Sequence, residues 1–280
     1  MGWHTTTDVD EFLGAAGDFL RSRPVENTVM LTLAGTLQRR GPHVYGPEDP
    51  YYGWWTSADG AVEGALLQTP PYPLLLSVAP ADAVPAAADL LSDRFLPGVN
   101  GPVADAEAFA AAWQRRTGST TKPGRQSRLY RLDRLTPPSP MPAGTARIAV
   151  DGDRAQAVAW FHAFHADISE EARAVDEMVD DRLSYGGLTF WEVDGRPVSM
   201  AGVSRPEGGA VRVNAVYTPP GMRGRGYGAA VTSTVTQAAL DAGAGAVVLF
   251  TDQANPTSNA LYQRLGYRPV ADRIVVEFTA

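Results

Sequence analysis

Four prolines fall within the nine residues TPPSPMPAG, 136–144. Proline lacks an amide donor and fixes φ, so this stretch supports neither helix nor ladder and reads as a semi-rigid linker. It cuts the 280-residue chain into segments 1–135 and 145–280, each of ordinary domain size. Hydrophobic residues make up 44% and charged residues 20%, enough to build packed cores. Whatever the chain folds into, it does so as two domains or as one interrupted at this point.

In the first segment, Val9, Phe12, Leu13, Ala16, Phe19 and Leu20 repeat at helical spacing, which predicts a helix over 8–22. Strand-like runs are expected at 27–37 (NTVMLTLAGTL), 51–57, 61–69 and 74–79, with a hairpin turn at Asp59-Gly60. Two alanine-rich helices follow near 83–94 and 104–117, then a strand at 127–135. The aromatic cluster Tyr51, Tyr52, Trp54 and Trp55 reads either as a core strand or as the lining of an acceptor pocket.

The second segment predicts a strand at 145–150 and helices at 152–168 and 170–184. A hairpin over 188–205 turns at Asp194-Gly195, and a strand follows at 209–218. Next come a helix over 226–242, a buried strand at 246–252, a short helix at 257–265 and a closing strand at 273–278. The two segments share an order of elements. The expected fold is α/β, with a mixed α+β sheet repeated in tandem.

The chain has no cysteine, which excludes disulfides, thiolate metal sites and a cysteine nucleophile. His162 and His165 could share a helix face, but two partly exposed residues are the simpler reading, and no metal is expected. A net charge of −7 argues against nucleic acid as a partner and mildly favours a cationic substrate. The opening MGWHTTTDVDEFLG has neither the basic start nor the apolar run of a signal peptide. No apolar run approaches the ~18 residues of a membrane span. A soluble cytoplasmic protein is expected.

The stretch YTPPGMRGRGYGAA, 217–230, stands between a strand and a helix. First-turn N–H groups of a helix lack partners and attract anions, and glycines let backbone approach a phosphate. A nucleotide triphosphate loop needs Lys-Ser/Thr after its last glycine; alanines stand there. For a dinucleotide, Gly224, Gly226 and Ala229 approximate the fingerprint, and Asp252 is placed as a ribose acid would be. Only 28 residues follow Asp252, too few for the βα units that such a fold still requires.

Arg223-Gly-Arg-Gly226-Tyr-Gly228, the preceding VNAVYTPP, and Asn255-x(6)-Tyr262-x(3)-Gly266-Tyr267 follow one another at set spacing. Together they resemble the GNAT superfamily of N-acetyltransferases over 145–280, most densely at 211–268. The chain is most similar to bacterial two-domain members with a degenerate GNAT-like first half. The resemblance implies tandem GNAT-like domains: a degenerate one at 1–135, the linker 136–144, and a catalytic one at 145–280 carrying the acetyl-CoA turn. It implies acetyl transfer from acetyl-CoA to a primary amine, on a small molecule or a protein lysine, by direct attack. A coenzyme-binding sensor without turnover is the alternative, with an NAD-type oxidoreductase behind it.

By the same resemblance, the turn at Arg223, Gly224, Arg225, Gly226 and Gly228 grips the pyrophosphate, and Asn255 and Asn259 contact the coenzyme. Asn255 is also placed to cap the helix that follows it. The strand 213–217 should splay from 246–251, opening a wedge where Val216 and Tyr217 meet the pantetheine arm. A strand N–H near Val216 is the expected oxyanion donor, a role that needs a fixed donor about 3 Å from the developing charge. Tyr262, expected at the helix edge, protonates the departing thiolate. Asp167 and Glu192 are the preferred bases, with His162 and His165 behind them. An unpaired sheet edge is capped either by the other half or by a second copy, so a homodimer is one expectation.

Overall fold

A computed structural model describes residues 1–168 and 174–279. The chain divides into two compact units. One holds Met1–Leu129, Asp252–Ala254 and the residues from Val270 onward; the other holds Tyr130–Thr251 and Asn255–Pro269.

The first half of the chain runs β1 (Gly2–Thr6), α1 (Val9–Ser22), α2 (Thr28–Arg40), β2 (Tyr51–Thr56), β3 (Val62–Gln68), β4 (Leu74–Leu76), α3 (Ala83–Leu90), β5 (Gly98–Pro102), α4 (Val103–Thr117) and β6 (Thr120–Leu132). The second runs β7 (Thr145–Ile148), α5 (Arg154–Asp167), α6 (Val175–Ser184), β8 (Leu188–Val193), β9 (Arg196–Val203), β10 (Ala210–Tyr217), α7 (Tyr227–Asp241), β11 (Ala246–Asp252), α8 (Pro256–Arg264) and β12 (Tyr267–Thr279). Short 3-10 turns aside, the order β-α-α-β-β-β-α-β-α-β occurs twice. The tandem mixed-sheet fold read from the sequence is thus present.

In the first unit β1 to β5 are neighbours in order, antiparallel except for the parallel pair β4–β5. Residues Arg273–Glu277 of β12 lie antiparallel on β5. Helix α1 begins where the Asp8 carboxylate accepts from the N–H groups of Asp10 and Glu11, satisfying two donors that no helical carbonyl reaches. Its stripe Phe12, Ala16 and Leu20 is fully buried. The expected hairpin turn forms, with Gly60 N donating to Ser57 O (3.1 Å).

The run NTVMLTLAGTL is a helix, not a strand. Its β-branched residues favour a strand locally. Its buried residues Met30, Leu31, Ala34 and Leu37 form one helical stripe, which strand alternation would scatter over two faces. The threonine hydroxyls find acceptors inside the helix: Thr32 donates to Thr28 O (2.9 Å) and Thr36 to Thr32 O (2.8 Å). Strands β1 and β5 had no counterpart among the expected elements. The expected start of the helix over 170–184 lies outside the described residues, and α6 is described from Val175.

In the second unit the order is β7-β8-β9-β10-β11, antiparallel up to β10 and parallel for β10–β11. The β8–β9 hairpin turns at Asp194-Gly195, as expected, with both residues left-handed at φ 51° and 71°. Phe190, Met200, Ala215 and Tyr217 pack with α5 and α6. Val213, Val247 and Leu249 pack with α7 and α8. Among the described residues no helix is long and apolar enough to cross a membrane.

Candidate functional site

Strand β10 pairs with β11 only from Ala210↔Ala246 to Val213↔Leu249. Against β9 it pairs at Val213↔Val203 and Asn214↔Gly202, then at Tyr217↔Met200. Ala215 and Val216 therefore stand opposite Ala201 alone, which is a β-bulge. Ala215 sits at φ 46°, a region that costs a non-glycine residue energy and persists only where the surroundings enforce it. The bulge takes the backbone of residues 214–217 out of the ladder with β11, as the expected wedge requires.

Past the bulge the chain is pinned. Ser199 on β9 is fully buried, and its Oγ donates to Tyr217 O (2.9 Å) and bonds Thr218 Oγ1 (2.9 Å). Residue spacing alone does not reveal this pair. The available signal was one serine inside the apolar run PVSMAGV. Pro220–Met222 then make one 3-10 turn, and Gly226, left-handed at φ 83°, opens α7. No side chain caps α7. Its first N–H groups therefore have no side-chain acceptor, and the helix dipole adds positive potential at the same point. Arg223, Gly224, Arg225 and Gly226 are all exposed. Arg225 Nη2 reaches Gly221 O at 3.4 Å, and Arg223 Nε donates to Thr218 O at 2.9 Å.

Helix α8 carries the other predicted residues. Asn255 caps it, its side chain accepting from Ser258 N (3.0 Å). Asn259 is an internal junction: its Oδ1 accepts from Tyr130 Oη (2.8 Å) and Thr251 Oγ1 (2.7 Å), and its Nδ2 donates to Asn255 O (2.7 Å). Those bonds tie α8 to β6 and β11, a structural task beside the one expected of it. Tyr262 is the one buried residue of α8 rather than a residue at its edge, and its ring meets that of Tyr267 edge-on at 6.2 Å. Burial, and secondarily the Tyr267 phenol, push the Tyr262 hydroxyl far above the ordinary phenol range. Tyr217 is likewise raised, chiefly by burial and then by Asp167, against the opposing pull of Arg223.

The two carboxylates expected to act as bases are both held by arginines. Glu192 Oε1 accepts from Arg147 Nε (3.0 Å) and Nη2 (2.8 Å), while Arg147 also grips Asp153. Glu192 therefore braces β7 against β8. Asp167, at the end of α5, accepts from Arg223 Nη2. The structure thus brings Asp167 to the glycine turn and leaves Glu192 in a brace. His162 is exposed, and His165 lies edge-on to Phe164. Among the described residues no His, Asp and Glu group is arranged to hold a metal ion. Of the aromatic cluster, Tyr52 stacks on Phe12 and Trp55 packs against Trp3, so these side chains serve the first unit's core.

Residues 145–267 match the model of the acetyltransferase (GNAT) family. No curated protein matches the chain. Among solved structures, a GNAT-family acetyltransferase from Colwellia psychrerythraea aligns over 100% of both chains at 12% identity and TM-score 0.61. A GCN5-related N-acetyltransferase from Sphaerobacter thermophilus aligns over 99% of this chain and 95% of its own, at 17% identity and TM-score 0.60. A tandem GNAT protein from the clavulanic acid biosynthesis pathway aligns over 99% and 98%, at 16% identity and TM-score 0.57. At such identities the structural likeness concerns the fold.

Proposed function

We propose that the chain, whose residues 145–267 match the model of the acetyltransferase (GNAT) family, moves an acetyl group from acetyl-CoA to a primary amine by direct attack. One observation carries the reading: a bulged β10 leaves β11 at Val213 and runs through Arg-Gly-Arg-Gly-Tyr-Gly into a helix that no side chain caps. The N–H groups of Gly224 to Gly228 offer the diphosphate a cradle, with the Arg223 side chain beside them; the Arg223 N–H donates to Pro220 O (3.3 Å). The freed edge at Val216 and Tyr217 offers the pantetheine arm backbone partners, and the Val216 N–H serves the developing oxyanion. Tyr262 supplies the proton that the leaving thiolate takes up. The acceptor is an amine of a small molecule or of a protein lysine.

We assign the coenzyme to the second unit alone. The corresponding turn of the first unit, SVAPAD at 77–82, has no glycine and places Asp82 ahead of α3. Arg273 also closes the corresponding wedge. It is 7% exposed, and its Nη2 donates to Leu76 O (3.0 Å) on β4 and to Asn100 O (3.1 Å) on β5. Burial pushes this guanidinium down to about 10, against the pull of Asp105, so it stays cationic at neutral pH.

The test is calorimetric titration with coenzyme A, followed by free-thiol release from acetyl-CoA over a panel of amines. One equivalent bound per chain and release with at least one amine are expected. Two equivalents would refute the assignment to one unit; no binding would refute the function. Binding with no release from any amine or lysine peptide would favour a sensor. Gly226→Val tests the cradle itself. A left-handed residue with a branched side chain costs about 1–2 kcal/mol or more, and the branch would crowd the anion site. A loss of coenzyme affinity of about tenfold or greater is expected.

A further inference from the structure

Arg223 is the first cationic residue of the turn, and its charge is already engaged. Nη2 donates to the Asp167 carboxylate and Nε to Thr218 O (2.9 Å). Thr218 is in turn fixed by buried Ser199, so the guanidinium is held at an anchored point of the backbone. The pair itself stays open: the side chains of Arg223 and Asp167 are 49% and 41% exposed. Helix α5 thus ends in a carboxylate beside a turn whose backbone donors invite an anion.

We propose that Asp167 competes with the coenzyme diphosphate for Arg223 and so sets the affinity of the turn, yielding the guanidinium as coenzyme enters. The proposal rests on the coenzyme reading of the turn. Its physical basis is that a guanidinium matched by a carboxylate gives less of its charge to a second anion, and that the carboxylate repels a diphosphate placed beside it. The pair is an exposed one, so its removal should shift the competing equilibrium by about two- to fivefold. Asp167 acts through Arg223 and is a positioning residue, not a base.

The experiment measures coenzyme A binding by calorimetry for the full chain and for Asp167→Asn, Asp167→Ser, Arg223→Gln and the double variant Asp167→Asn/Arg223→Gln. Both Asp167 variants should bind about two- to fivefold more tightly, and the gain should shrink as salt rises to about 0.5 M. Arg223→Gln should bind more weakly, and adding Asp167→Asn to it should recover little, the non-additivity of two residues acting as a pair. Pantetheine, which lacks the diphosphate, should bind the wild type and Asp167→Asn alike. In turnover, the KM for acetyl-CoA should fall while that for the amine holds. Unchanged or weaker coenzyme binding in both Asp167 variants, with a wild type that binds, overturns the competition alone. A wild type that binds no coenzyme overturns the functional reading as well.

Discussion

Replacing Tyr262 by Phe should cut thiol release from acetyl-CoA by two orders of magnitude or more at neutral pH, and leave coenzyme A affinity within about twofold. A positioned general acid contributes about 10²–10⁴-fold, and only its hydroxyl is lost here. The ring remains, so the edge-on contact with Tyr267 and the packing beneath α8 survive. Unchanged turnover would remove Tyr262 from the chemistry. The environment of the phenol adds a pH signature. Burial raises its folded pKa above the unfolded value near 10, so it stays protonated throughout the physiological range. No limb of the rate profile below about pH 10 should belong to it. By linkage, the stability contributed by the buried neutral phenol is fully present below about pH 10. It is lost as pH rises through the folded value. Chemical denaturation as a function of pH should show the wild type losing stability above about pH 10 more steeply than the Phe variant.

Gly266→Ala should be among the most destabilising single substitutions in the second unit. Gly266 is left-handed at φ 98°, and a Cβ there would lie 1.8 Å from Arg134 O. The conformation alone costs a non-glycine residue about 1–2 kcal/mol. The clash is with backbone, so no rotamer change relieves it. The neighbouring bonds would have to yield together: Asp133 N to Gly266 O (3.1 Å) and Thr136 N to Leu265 O (2.9 Å). The expected total is about 3–5 kcal/mol, a large share of a domain's margin of about 5–15 kcal/mol. Thermal melts should show the midpoint falling by about 10 °C. Gly221→Ala is the control: a Cβ at Gly221 meets nothing within 4 Å, and its midpoint should stay within about 2 °C. Equal midpoints for the two variants would contradict the account.

The parts of the site that were legible in the sequence are local ones. The glycine turn, the Asn255 cap and the Asp194-Gly195 hairpin depend on residues close together in the chain, and each stands where its chemistry indicates. The sequence misleads where distant residues decide. NTVMLTLAGTL is rich in strand formers, yet it is a helix because its apolar stripe packs on α1 and β3. Strand β5, GVNGP, consists largely of turn residues, and pairing with β4 and β12 makes it a strand. Tyr262 was expected at a helix edge from its angle to Leu261 and Leu265, but the sheet beneath α8 buries it. Asp167 and Glu192 have base-like chemistry as residue types. Their partners, Arg223 and Arg147, lie 56 and 45 residues away, beyond the reach of any spacing argument.

Strands β6 and β12 are each thirteen residues long, and each changes unit partway: β6 after Leu129 and β12 after Pro269. The end of the chain therefore completes the sheet of the unit that begins it. The first unit is therefore not one continuous stretch of chain, and no single cut in the sequence separates the two units. Deleting the residues after Leu129 would also remove the stretch of β12 that pairs with β5 in the first unit. A substitution from Val270 onward therefore falls on the unit that holds Met1–Leu129.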